Sequence, residues 1–176
     1  MKRILGLLIC AFILNSCDDG DIAFKKFNFD PTVAVNKCTT NNGLYFKIKN
    51  SEALILKIPA TSFLNEETAT GSPRKLTINS TNQVIYRLFN DVVSSTYFCS
   101  DIPPSTPIVV DEWNAIEGIQ DTSGTIEIAT TKILNPTTQS IMGYNHLITF
   151  RNITFKNASN AFVYEEYVFG NYVTTP

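Results

Sequence analysis

The sequence predicts an all-β protein, an antiparallel β-sandwich or barrel-like sandwich of about 8–10 strands. Three observations carry the prediction. Short apolar runs with strand-like alternation are separated by turn-forming clusters about every 8–12 residues. Nowhere do apolar residues keep a 3.6-residue period between capping residues, so little helix is expected. Polarity rests on Thr, Ser and Asn: charged residues make up 17% of the 176, against roughly a quarter in an average domain.

The elements follow in chain order. Residues 24–29 alternate and predict a first strand. Residues 44–48 (Leu-Tyr-Phe-Lys-Ile) follow the turn cluster Asn41-Asn42-Gly43 and predict a second. Residues 53–58 form an apolar run that stops at Pro59, which cannot donate to a ladder. Residues 60–73, with Glu66-Glu67 and Gly71-Ser72-Pro73, read as a loop with room for a helical turn. Residues 75–78 and 84–89 flank Asn79-Ser80-Thr81-Asn82, which predicts a hairpin. Pro103-Pro104 and Pro107 break the chain before a strand over 108–116, and Ser123-Gly124 opens another over 125–133. Residues 144–155 are periodic for too long to form one flat strand. The last strand covers 161–169 and continues towards Val173. Within it, Phe162 and Tyr164 share one parity and Tyr167 and Phe169 the other, with Glu165-Glu166 at the phase change. A β-bulge there would return all four rings to one face, whereas a strand buried on both faces would need none.

Residues 1–17 read as an export-and-lipidation signal. Lys2 and Arg3 form a charged n-region, and residues 4–14 an apolar run too short to span a bilayer, which takes about 20 residues. A processed signal peptide is therefore expected. Leu14-Asn15-Ser16-Cys17 resembles the lipobox of bacterial lipoproteins at Leu14, Ser16 and Cys17; in that family the cysteine thiol receives a diacylglyceryl group and becomes the first mature residue. With acidic residues directly behind it and a Thr/Asn-rich β-domain, the chain is similar to the small lipoproteins of Bacteroidetes-type bacteria. The resemblance implies a signal peptide over 1–16, lipidated Cys17 and a short tether over 17–22, and a single β-sandwich domain over 23–176. It also implies a partner, membrane lipid through Cys17, and a location, lipid-anchored in the bacterial envelope at the outer membrane. Asp18-Asp19 is similar to the acidic signal that sends such proteins to the cell surface, while in enterobacteria an aspartate in that place implies inner-membrane retention. The periplasmic and surface faces both stay open.

Loss of Lys2 and Arg3 leaves 12 basic against 16 acidic residues, a net charge of −4. No basic patch suggests nucleic acid as a partner. Of four cysteines, Cys10 leaves with the signal and Cys17 is acylated. Cys38 and Cys99 remain, and in an oxidising compartment they are expected to form a disulfide, the alternative being two separate buried thiols. At their separation in sequence, closure is worth roughly 4 kcal/mol in the chain-entropy model. Tyr97-Phe98-Cys99 resembles the tyrosine corner of immunoglobulin-like sandwiches, but that fold places its tryptophan between the cysteines, and Trp113 follows both.

The search for chemistry predicts no catalytic set, no metal site and no cofactor. The lone histidine, His146, shares strand parity with Tyr144, Ile148 and Phe150 and reads as a packed or hydrogen-bonded side chain, so His146→Phe is expected to cost no more than about 1–2 kcal/mol. No Gly-x-Ser-x-Gly elbow supplies it with a nucleophile. One histidine and two mature cysteines make no tetrahedral zinc site. Asp18-Asp19-Gly20-Asp21 lacks the ligand set of a calcium loop. Asp111, Glu112, Glu117 and Asp121 surround Trp113, as in a glycosidase or sugar site, although Asp111 and Glu112 must point to opposite faces of one strand. Trp113, Asp111 and Glu117 are thus the candidate ligand-binding residues. The expected function is a non-enzymatic binding or scaffold module whose ligand is a glycan or another envelope protein. The alternatives are a carboxylate-dependent hydrolase of glycans or envelope polymers, and an accessory subunit of an export or uptake complex that docks by a sheet edge.

Overall fold

A computed structural model of the protein describes residues 26–39, 43–117 and 124–176. The signal, Cys17, the tether and Asp121 lie outside the described residues. Among the described residues nine strands are formed: β1 (Asn36–Lys37), β2 (Leu44–Lys49), β3 (Glu52–Lys57), β4 (Arg74–Thr77), β5 (Gln83–Phe89), β6 (Val109–Ala115), β7 (Thr125–Leu134), β8 (Ile141–Lys156) and β9 (Ala161–Thr174). One five-residue helix, α1 (Ser95–Cys99), and a 3-10 turn over Ala60–Ser62 complete them. All pairings are antiparallel, in the order β1-β2-β3-β5-β6-β8-β7-β4, with β9 on β8. The predicted all-β, sandwich-like class is therefore the one observed.

The single sheet folds over through β8. This strand pairs with β9 from Tyr144 to Lys156, and its other edge is shared by β7 (Ile141 to Arg151) and β6 (Phe155 and Lys156). Its first half thus belongs to one layer and its second half to the other. Between the layers, Tyr45, Leu54, Leu56, Val84 and Tyr86 of one half meet Ile126, Ile128, Ile148, Phe150 and Phe169 of the other.

Asn152, with φ of 49°, gives β8 its bend. The inward residues are Tyr144, His146, Ile148 and Phe150 before it, then Ile153 and Phe155 after it. β9 changes phase opposite, at Glu165-Glu166. Because both strands shift together, the register continues from Arg151↔Glu166 to Ile153↔Tyr164. Phe162, Tyr164, Tyr167 and Phe169 all reach the same core while both glutamates stay exposed. The one-face reading of the four rings holds, but a matched irregularity on two strands produces it. The register shift lies elsewhere, between Ile148 and Thr149, opposite Gly170. Gly170 has φ of 137°, and a Cβ there would come within 3.0 Å of Lys47 Nζ.

Two expected elements are corrected. The first is the hairpin around 79–82. The turn itself forms: the Asn79 side chain accepts from the Thr81 and Asn82 N–H groups, both at 2.9 Å, and Asn82 Nδ2 donates to Thr77 O at 3.0 Å. Its flanks then part, β4 to β7 and β5 to β3 and β6. Turn chemistry closes a reversal without specifying that the arms pair, and here buried Ile78 enters the core between the layers.

The second is the strand over 24–29. Residues 26–30 alternate exposed and buried as expected but form no ladder. They lie as a strap between β2 and β9, held by side chains instead. Tyr164 Oη donates to Phe27 O, the Phe29 N–H donates to Tyr167 Oη at 2.9 Å, Lys49 Nζ donates to Asn28 O at 3.0 Å and Lys47 Nζ donates to Asp30 O at 2.6 Å. Phe27 and Phe29 sink into the core, and Val35 packs beside Gly170. The strap closes the gap that would otherwise leave an edge of β9 open.

β2, β3 and β5 are buried on both faces. Their second face carries Phe46, Ile55, Ile85 and Phe89, covered by α1 through Phe98, whose ring stacks on Phe46 at 4.7 Å, and Tyr97, 5.0 Å from Phe89. Cys99, the last residue of α1, forms a disulfide with Cys38 just beyond β1, the Cα atoms 5.2 Å apart. The expected pair is the one formed. The resemblance to a tyrosine corner does not hold, because Tyr97 sits on a helix and not at the start of a strand.

Candidate functional site

Of the expected ligand-binding residues, the fold joins two. The Trp113 indole N–H donates to Asp111 Oδ2 at 2.7 Å, and Asn157 Nδ2 donates to Asp111 Oδ1 at 3.3 Å. The indole packs on Phe162, with ring centroids 4.9 Å apart. Asp111 is therefore a structural acceptor and Trp113 part of the wall of the core. Glu117, beyond the end of β6, is exposed and bonds to neither within the described residues. Glu112 points to the opposite face, as strand alternation requires, and pairs with Arg87 Nε at 2.6 Å. Burial alone would raise its pKa, but hydrogen bonds from Asn114 and Arg87 hold it below the usual carboxylate range. Two carboxyl groups across a cleft, the hydrolase geometry, are not what β6 presents.

His146 is fully buried in a linear relay. Arg74 Nη2 donates to Thr130 Oγ1, which lies 2.8 Å from His146 Nδ1. On the far side His146 Nε2 lies 2.9 Å from Thr174 Oγ1, which donates to Asn65 Oδ1 at 2.5 Å. Since the Thr174 hydroxyl gives its proton to Asn65, it accepts from the imidazole, so Nε2 carries the hydrogen and Nδ1 accepts from Thr130. The ring is thus a neutral spacer that ties β7 to the end of β9. Two buried polar atoms of this region, Tyr45 Oη and Arg74 Nε, have no partner among the described residues.

Burial, reinforced by the positive charge of Arg74, lowers the His146 pKa from 6.5 to about 4. A group whose folded pKa is depressed in this direction is protonated first in the unfolded chain. Its contribution is therefore complete above pH 6.5 and declines as the pH falls towards about 4. The loss over that window is on the order of 3 kcal/mol. Denaturant melts of wild type and His146→Gln, an amide able to bridge both threonines, should show wild type losing more by that amount on acidification. Equal losses in the two proteins would show that His146 is not the acid-labile group. The relay also revises the sequence expectation for His146→Phe: two hydrogen bonds disappear in a buried setting, at a cost of about 2–3 kcal/mol.

A cleft lies on the other side of the loop over residues 60–73. It measures about 550 Å³ and is bounded by residues 68–73 and by the outward faces of β4, β7 and β8. The loop is fastened to β7 where the Thr68 N–H donates to Thr130 O and the Thr130 N–H donates to Thr68 Oγ1, both at 3.0 Å, and again where Lys132 pairs with Glu67 at 3.2 Å. Arg74 grips its carbonyls, donating to Glu66 O at 3.0 Å and Leu64 O at 3.3 Å. The cleft floor sets Glu127 opposite Thr149 and Ala129 opposite Leu147. Across four strands runs a ladder of alternating charge: Lys75 to Glu127 at 3.9 Å, Glu127 to Arg151 at 3.2 Å, and Arg151 to Glu166.

Sequence reasoning singled out none of these cleft residues. Outward strand positions occupied by Thr, Glu and Arg look like any solvated face, and only the pairing of β4, β7, β8 and β9 aligns them. Among the described residues no cluster of three His, Cys, Asp or Glu side chains is placed to hold a metal ion. Comparison with protein-family models, curated proteins and solved structures returned no match.

Proposed function

We propose that the protein is a membrane-anchored envelope lipoprotein whose β-domain acts as a binding or scaffold module and not as a catalyst. The observation that carries this reading is the engagement of the candidate catalytic groups. Asp111 holds an indole, Glu112 holds Arg87, and His146 is a buried spacer between two threonines. Each is where a structural polar group belongs, and none faces a cleft with a second reactive group beside it.

The anchor follows from the lipobox at Leu14, Ser16 and Cys17, and it suits the place of the first described residues in the fold. Phe27 is already a core residue, and the chain from Cys17 to Lys26 can extend at most about 30 Å. A lipid on Cys17 would hold the strap side of the domain close to the bilayer. The Cys38–Cys99 disulfide is in keeping with an exported domain. Docking by a sheet edge is the weaker alternative, since the strap lies along β9 and β4 offers only four residues.

Fractionation of cells expressing the full chain tests the anchor. The wild type is expected in the membrane fraction, and Cys17→Ser is expected to be released or to remain unprocessed, because stable attachment takes two or more acyl chains. A processed, membrane-bound Cys17→Ser protein carrying no lipid would end this reading.

A further inference from the structure

We propose that the cleft between residues 68–73 and the outer face of β7 and β8 is a binding site for a neutral saccharide, a deepening of the binding-module reading on which it rests.

The chemistry of the lining carries the assignment. The hydroxyls of Thr70, Thr131 and Thr149 line the cleft and form no hydrogen bond among the described residues. Each can donate one bond and accept two, which is also the repertoire of a sugar hydroxyl. Thr149 is only 8% exposed, so a ligand bonded to it is largely removed from water there. Beside these hydroxyls, Ala129, Leu147 and Pro73 offer a small apolar strip for the C–H face of a pyranose ring. A cleft of about 550 Å³ lies within the roughly 300–1,000 Å³ of small-ligand sites.

The charges select against an ionic ligand. Lys75, Glu127, Arg151 and Glu166 form a ladder of zero net charge in which Glu127 lies between two cations and Arg151 between two anions. An anion or cation entering the cleft must compete with a partner already in place. A neutral ligand need not, and it can still use the lone pairs and N–H groups that ion pairing leaves over. A peptide would look instead for an open strand edge, and the β7 edge facing this loop is occupied by β4 and Thr68. Trp113, the obvious aromatic platform in the sequence, is withdrawn from this role by Asp111 and Phe162.

The test is calorimetric titration of the purified full chain with a panel of neutral oligosaccharides built from glucose, mannose, galactose and N-acetylglucosamine, alongside sulfated and uronic-acid oligomers and a mixed peptide library. At least one neutral saccharide is expected to bind with a Kd of about 1 mM or tighter. Its affinity should change little between about 50 and 500 mM salt. Thr149→Val and Thr131→Val, close in shape to the native residues, should each weaken it roughly 5-fold, the loss of about one hydrogen bond. Trp113→Phe should leave it unchanged. Thermal melts of each variant separate lost binding from lost folding. Absence of binding by every neutral saccharide at about 10 mM, preference for the charged oligomers or peptides, or indifference to both threonine changes would overturn the proposal. Failure here leaves the anchored-module reading standing if the protein still partitions with membranes, whereas turnover of a bound saccharide would refute the non-catalytic reading and keep the site.

Discussion

Phe27→Ala is expected to destabilise the domain by about 3–5 kcal/mol, the range for emptying a buried aromatic position. Phe27 is 2% exposed although it lies in a segment with no ladder bonds. Its ring stacks on Tyr86 at 4.6 Å and meets Phe155 edge-on at 5.0 Å, with Tyr164 at 4.9 Å and Tyr167 at 5.3 Å. Pairs of this kind add about 0.5–1.5 kcal/mol each beyond the area they bury. The four polar pins of the strap cannot compensate, because three of them sit at positions directed by Phe27 and Phe29 entering the core. Hydrogen exchange should lose protection first over residues 26–35, while the β7–β8 pairing keeps it, since local opening follows the number of buried contacts a segment makes. Asn28→Ala, on the exposed side of the same strap, is the control and should stay within about 0.5 kcal/mol of wild type. A Phe27→Ala protein that melts with wild type would mean that the strap is an appendage and that the two layers pack without it.

The disulfide is the second large term. Converting Cys38 and Cys99 together to serine is expected to cost about 2–5 kcal/mol, with roughly 4 kcal/mol given by the size of the loop they close. The loss has a structural side as well. α1 has five residues, too few to be stable alone. It stays over Phe46 and Phe89 because Tyr97 and Phe98 pack there and Cys99 is tied to the end of β1. Without the bond, those rings should become accessible to a hydrophobic dye before global unfolding. The measurement is a denaturant melt of the oxidised, reduced and double-serine proteins; a difference below about 1 kcal/mol would contradict the assignment. Reduced wild type and the double variant should agree, which separates the bond itself from any effect of the serines.

Much of the strand layout was legible in the residues. Runs at 44–48, 53–58, 84–89 and 125–133 became β2, β3, β5 and β7 to within a residue or two, because alternation and turn chemistry act locally. The parity of His146 with Tyr144, Ile148 and Phe150 correctly placed it inside, and the odd phase of the rings around Glu165-Glu166 did signal an irregularity. What parity could not supply was the partner: two threonines and, behind them, Arg74 and Asn65 complete the relay, and they come from β7, β9, β4 and the loop. The same limit applied to Trp113. Its acidic neighbours were visible, but only the packing of Phe162 and the bond to Asp111 turned a candidate platform into a wall.

The sequence by itself therefore determined the all-β class, the position and inward face of most strands, and the cysteine pair. Each is a property of residues close together in the chain or of a simple count. Only the tertiary structure decided that β4 and β5 part after their turn, that β2, β3 and β5 are covered on both faces, that an unpaired strap lies between β2 and β9, and that three threonine hydroxyls and a neutral charge ladder share one cleft. These features depend on contacts between residues far apart in sequence. An alternating pattern states which side of a strand turns away from water, while the identity of what meets that side is set by how the whole sheet folds over.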